Sequence, residues 1–109
     1  MDTPHPDLNI SVMRLAAAET ATVLRTLANE DRLLLLCQLS QGERSVSELE
    51  SLLGIRQPTL SQQLGVLRAE GLVTTRRDGK RIFYSVADDK VLTLLGTLYL
   101  LYCPKDDTP

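Results

Sequence analysis

The chain has 109 residues, 43% of them hydrophobic and 24% charged, with a formal net charge of −2. That is the size of one domain with enough apolar residues for a core. No apolar run reaches the roughly 20 residues that span a bilayer. The opening stretch, with Asp2, Pro4, Pro6 and Asp7, lacks the cationic and apolar segments of a secretory signal, so a cytoplasmic protein without membrane contact is expected.

In chain order, residues 1–10 read as a flexible N-terminal tail that carries the single histidine, His5. The spacing of Val12, Leu15, Ala16, Val23, Leu24 and Leu27 predicts a helix over Val12 to Ala28. Asn29 then reads as an N-cap, with Glu30 and Asp31 in the first turn, where the helix dipole favours acids. The second helix runs through Leu33, Leu34, Leu35, Leu36 and Leu39 and stops near Gly42; apolar on most of its circumference, it is expected at the centre of the core. Ser45-Val46-Ser47-Glu48 has the form of a capping box and opens a short third helix through Leu49, Leu52 and Leu53. Gly54 ends it in the left-handed conformation. Pro58 suits the first turn of a fourth helix from Thr59 to about Glu70, with Leu60, Leu64 and Leu67 inward and Gly71 as its stop.

Leu72 to Arg77 and Lys80 to Val86 read as two strands joined by a turn at Asp78-Gly79, with Ile82, Tyr84 and Val86 on one face. Asp88 caps a last helix bearing Val91, Leu92, Leu94, Leu95, Leu98, Tyr99, Leu101 and Tyr102. A terminal helix so apolar, on so small a protein, usually meets a partner subunit. The fold class is therefore mainly α with a small β-hairpin: a winged helix-turn-helix of about five helices and a two-stranded wing over residues 11–103, with 104–109 as a C-terminal tail.

In this order of elements the second helix of the helix-turn-helix enters the DNA major groove and the hairpin reaches nearby phosphates. The exposed face of the fourth helix should offer Gln57, Thr59, Ser61, Gln62 and Gln63, neutral groups of the kind that read base edges. Arg56, Arg68, Arg76, Arg77, Lys80 and Arg81 suit phosphate neutralisation. They dominate residues 56–81, where six cations face two acids, whereas residues 1–53 hold four Arg against eight acids and residues 82–109 hold two Lys against four Asp. A basic block in an acidic protein concentrates phosphate affinity on one face. Taken alone, a polar helix face or a charge run is equally a solvated surface; the order of elements favours double-stranded DNA. A protein-binding winged helix is the competing reading. An enzyme is not expected: no Cys-x-x-Cys, no nucleophile–His–acid set and no phosphate-cradling glycine loop occur.

Several segments together carry a family resemblance: Leu27-Ala28-Asn29-Glu30-Asp31-Arg32-Leu33, Ser47-Glu48-Leu49, Gln57-Pro58-Thr59-Leu60-Ser61-Gln62-Gln63-Leu64, Leu67-Arg68, Glu70-Gly71-Leu72-Val73 and Phe83-Tyr84. From about Leu24 to Tyr102 the chain resembles the ArsR/SmtB family of bacterial winged-helix repressors. The resemblance implies a homodimer built through the first and last helices, an inverted-repeat operator, and release of DNA when an inducer binds. Metal sensors of that family place Cys-x-Cys after Glu-Leu in the third helix, or His and acids along the last helix. Here Glu48-Leu49 is followed by Glu50-Ser51-Leu52, and Asp88 and Asp89 are followed by no His. No metal site and no cofactor are expected.

Cys37 and Cys103 are the only two cysteines. By themselves they read as a small core residue and an incidental residue near a helix end. Their places are similar to those of the dithiol subgroup that includes BigR and SqrR, which implies redox sensing: the pair is bridged by reactive sulfur species, persulfide or polysulfide, and the operator is released. An oxidant inducer, an anti-silencing activator of the HlyU kind and a metal-responsive repressor stay open as alternatives.

Overall fold

The computed structural model describes residues 9–103; His5 and the tails expected at 1–8 and 104–109 lie outside the described residues. Within them the elements run α1 (Ile10–Leu27), α2 (Glu30–Leu39), β1 (Arg44–Ser45), α3 (Val46–Leu53), α4 (Thr59–Ala69), β2 (Val73–Asp78), β3 (Arg81–Val86) and α5 (Asp89–Tyr102). This is the winged helix-turn-helix that the pattern predicts.

Polar side chains set most helix starts by accepting from backbone N–H groups that have no partner in the first turn. The Asn9 side chain accepts from the Ser11 and Val12 amides at 2.8 and 3.3 Å. That cap starts α1 two residues before the expected Val12 and brings Ile10, assigned above to the tail, into the helix. Asn29 accepts from the Arg32 amide at 3.0 Å, and Asp88 from the Lys90 amide at 2.8 Å. The capping box is reciprocal, with the Glu48 amide donating to Ser45 Oγ at 3.2 Å and the Ser45 amide donating to Glu48 Oε1 at 2.8 Å. Gly54 and Gly71 end α3 and α4 at φ +70° and +76°, a region that penalises any side chain.

Leucine dominates the core. Leu35 and Leu36 of α2, Leu49 of α3, and Leu60, Leu64 and Leu67 of α4 are fully buried, with Val91 and Leu95 of α5 completing the enclosure. The 3.6-residue spacing puts all three α4 leucines on one stripe. The α2 helix is central but not buried all round, since Leu34 remains 42% exposed.

The sheet is antiparallel in the order β1-β3-β2. Strand β1, two residues pairing Arg44 with Tyr84 and Ser45 with Phe83, is an element that the sequence pattern did not disclose. The hairpin turn also differs from expectation by one residue. Asp78 pairs with Arg81, so the loop is Gly79-Lys80 rather than Asp78-Gly79. Gly79 has φ +66°, and glycine first in a two-residue loop is the type II′ arrangement that matches strand twist.

Arg32 is half-buried where three helices meet. Its Nε donates to the Thr26 carbonyl at the end of α1 at 2.6 Å, and its Nη1 donates to Gln63 Oε1 of α4 at 2.9 Å. Replacing it with Met should cost about 1–3 kcal/mol, because two acceptors lose a charged donor. Arg32→Lys should recover only part of that, since a single ammonium cannot reproduce the planar fork. Urea unfolding midpoints of the three proteins check this; an unchanged midpoint in Arg32→Met would refute it.

Candidate nucleic-acid interface

Helices α3 and α4 meet at a tight turn, because Gly54 reverses the chain and buried Ile55 pins the connection to the core. The outward side of α4 carries Ser61 and Gln62, with Gln57 just before the helix and Arg56 and Arg68 near its two ends, all exposed. Gln57 Oε1 accepts from the Ser61 amide at 3.1 Å and from the Ser61 hydroxyl at 2.7 Å. The carbonyl of the Gln57 side chain thus braces the first turn of α4, and its NH2 group has no hydrogen-bond partner among the described residues. Thr59 is half-buried at the helix start. Gln63 departs from expectation: it is half-buried, and its carbonyl is taken by Arg32, so it does not share the exposed face.

The structure divides the six cations into two groups. Arg56, Arg68, Arg77 and Lys80 are exposed and form no ion pair among the described residues. Arg76 is gripped by a carboxylate, its Nε and Nη2 donating to Glu43 Oε2 and Oε1 at 3.0 and 2.7 Å. Arg81 Nη2 donates to Ser45 Oγ at 3.1 Å. Both guanidinium groups also lie over the Phe83 ring, 4.8 and 4.9 Å from its centroid. Hydrogen bonding to Arg76 holds the Glu43 carboxyl below the usual carboxylate range. No local pattern marks Glu43, since its partner lies 33 residues away.

The two cysteines occupy a second region. Cys37, half-buried on α2, lines a cleft of about 520 Å³ between α2 and α5, together with Leu34, Leu95, Gly96 and Tyr99. Cys103 is exposed at the C-terminal cap of α5, its amide donating to the Tyr99 carbonyl at 3.0 Å. Both thiols are free. Burial pushes the Cys37 thiol up, and Cys103 acts in the same direction. Among the described residues no three His, Cys, Asp or Glu side chains gather as metal ligands. No described helix is long and apolar enough to cross a membrane.

Large apolar side chains stand exposed on the two helices at either end of the fold. Ile10, Val12, Met13 and Leu15 do so on α1, and Tyr99, Leu100, Leu101 and Tyr102 on α5.

Comparison with known proteins places these features in context. Residues 29–75 match the family described as bacterial regulatory protein, arsR family. The chain is 52% identical to the biofilm growth-associated repressor of Agrobacterium fabrum over 101 residues, 93% of this chain and 86% of that protein. It is similar in structure to the transcriptional repressor BigR from Xylella fastidiosa, at 48% identity and a TM-score of 0.82 over 90% of this chain and all of that one. It is also 40% identical to the transcriptional activator HlyU of Vibrio cholerae, over 88% of this chain and 89% of that protein.

The Glu43–Arg76 pair predicts a pH effect. The folded-state pKa of Glu43 is lowered, so its contribution to stability is present above the ordinary glutamate range and is lost as pH falls through the lowered value. Urea midpoints of the wild type and Glu43→Gln should therefore differ at neutral pH and converge in acid; a constant offset would show that the pair does not titrate with folding.

Proposed function

The chain belongs to the ArsR family of bacterial regulatory proteins, and we propose that it is a cytoplasmic homodimeric repressor that releases its operator when reactive sulfur bridges Cys37 and Cys103. The observation that carries this reading is the placement of two free thiols, one half-buried on α2 and one exposed at the end of α5. The similarity to repressors, BigR among them, supports the repressor part.

DNA contact falls to α4 and the wing. Gln57, Thr59, Ser61 and Gln62 face the base edges, and Arg56, Arg68, Arg77 and Lys80, which form no ion pair among the described residues, face the phosphates. The exposed apolar residues of α1 and α5 supply the dimer interface, because such a surface on a small domain is stable only when covered. A two-fold dimer presents two α4 helices to half-sites about 34 Å apart, so a shift at α5 changes how well the pair fits the operator.

The chemistry follows from the unequal exposure of the thiols. Cys103 is open to solvent and attacks first. Its thiolate takes the terminal sulfur of an organic persulfide, forming Cys103–S–SH and releasing the organic thiolate. The Cys37 thiolate then attacks Cys103 Sγ and expels hydrosulfide, leaving a disulfide. Both protein thiols are oxidised, and the transferred sulfur is reduced and leaves. If Cys37 is itself persulfidated first, the same displacement closes a bridge one sulfur longer, which suits thiols too far apart for a direct bond. Burial disfavours the Cys37 thiolate, so Cys37 serves as the second, resolving thiol. The bridge joins α2 to α5 and so couples the core helix to the dimer interface. The similarity to the activator HlyU favours one second reading, in which the same DNA contacts displace another repressor.

Fluorescence anisotropy on DNA upstream of the protein's own gene tests the switch. Reduced protein should bind, glutathione persulfide should weaken binding roughly tenfold or more, about 1.4 kcal/mol, and Cys37→Ser and Cys103→Ser should not respond. Equal binding before and after treatment would rule out the thiol switch, and a response to peroxide alone would make the inducer an oxidant. Intact-mass analysis separates the two roles. Cys37→Ser should accumulate a one-sulfur adduct on Cys103, and bridge closure in the wild type should quicken as pH rises above neutral toward the raised Cys37 value.

A further inference from the structure

We infer that Arg76 and Arg81 are positioning residues of the wing rather than phosphate contacts, and that Glu43 and Ser45 clamp the hairpin against the start of α3 through them. The inference rests on the DNA-binding reading above.

The geometry comes from the sheet register. Phe83 on the central strand pairs with Ser45 on one side and with Arg76 on the other. Residues directly opposite share a face, and alternation brings Arg81 onto the same face two residues along. On that face the partners close a chain. Ser45 Oγ accepts from Arg81 at 3.1 Å. Arg81 and Arg76 both lie over the Phe83 ring. Arg76 ends the chain in a two-point grip on Glu43, with bonds of 3.0 and 2.7 Å.

Ser45 is also the N-cap of α3, buried to 2% exposure, so one end of the chain is anchored in the helix-turn-helix. Glu43 stands immediately before β1, so the other end is anchored on the connection out of α2. A two-stranded hairpin is marginal alone, and this row of contacts holds it to the reading head. With its Nε–Nη2 edge bonded to a carboxylate and its face on Phe83, the Arg76 guanidinium is held in place with its charge compensated, and it offers a phosphate only Nη1. Arg81 is also exposed and without an ion pair, but Ser45 and Phe83 hold it; Arg77 and Lys80, with neither an ion pair nor a side-chain hydrogen bond among the described residues, are the wing cations left to meet DNA.

Binding of the reduced full-length protein to its own upstream DNA, titrated across a range of salt, separates positioning from contact. A lost phosphate contact lowers the slope of log affinity against log salt by about 0.9. Arg77→Met and Lys80→Met should show that loss. Arg76→Met should weaken binding several-fold while moving the slope by less than about half that amount. Glu43→Gln should weaken binding too, although it removes a negative charge. The exchange of charges in Glu43→Arg with Arg76→Glu should restore affinity, which a phosphate contact at position 76 would not allow. The inference is overturned if Arg76→Met costs a full unit of slope, if Glu43→Gln tightens binding, or if Arg76→Met changes nothing. Failure of the wild type to bind any such DNA would instead remove the DNA-binding reading itself. Far-UV circular dichroism keeps an unfolded variant from being scored.

Discussion

The orientation of α4 depends on the guanidinium of Arg32. Leucine packing brings α2, α3 and α4 together, but apolar burial has no direction and tolerates rotation of one helix on another. A planar fork does not. By donating to the carbonyl that ends α1 and to Gln63 on α4, Arg32 fixes the angle at which the outer face of α4 is presented. The bond to Gln63 also turns one of the three glutamines around α4 inward, leaving Gln57 and Gln62 to face outward. Arg32 lies on the same helix as Cys37, so the element that holds the reading helix in place is also the element that carries a thiol.

Charge is organised by the same economy of local partners. The chain is acidic overall, and its acids are used mostly to start helices or to hold cations in place. Glu48 closes the capping box, Asp88 caps α5, and Glu43 grips Arg76. Among the described residues, Arg56, Arg68, Arg77 and Lys80 around α4 and the wing are exposed and form no ion pair. A net charge near zero therefore coexists with a directed positive field, which is the form nucleic-acid recognition requires.

The thiols present the opposite design. Burial along the α2–α5 cleft pushes the Cys37 thiol up, while Cys103 stands open at the end of α5. In the proposed switch, only the exposed sulfur is open to a reagent arriving from solvent. Under that proposal, a reagent that first loads the exposed sulfur supplies the leaving group for attack by the half-buried one.

Much of this was legible in the residues themselves. The capping box at Ser45, the caps at Asn29 and Asp88, the glycine stops at Gly54 and Gly71 and the leucine stripe of α4 are interactions between near neighbours along the chain. The residue types and their spacing therefore determine them without reference to the rest of the fold. The winged helix-turn-helix follows from their order. The family resemblance marked the two cysteines as a pair. Other features were decided only in three dimensions. Strand β1 is too short to show a period and exists because β3 lies beside it. Gln63 faces inward because Arg32, 31 residues earlier, reaches its carbonyl. Arg76 looks like any other cation in the basic block until Glu43 is brought to it across the sheet. The cleft beside Cys37 likewise depends on how α5 lies against α2. Such partnerships join residues whose separation along the chain carries no signal, and tertiary packing alone sets which side chains meet.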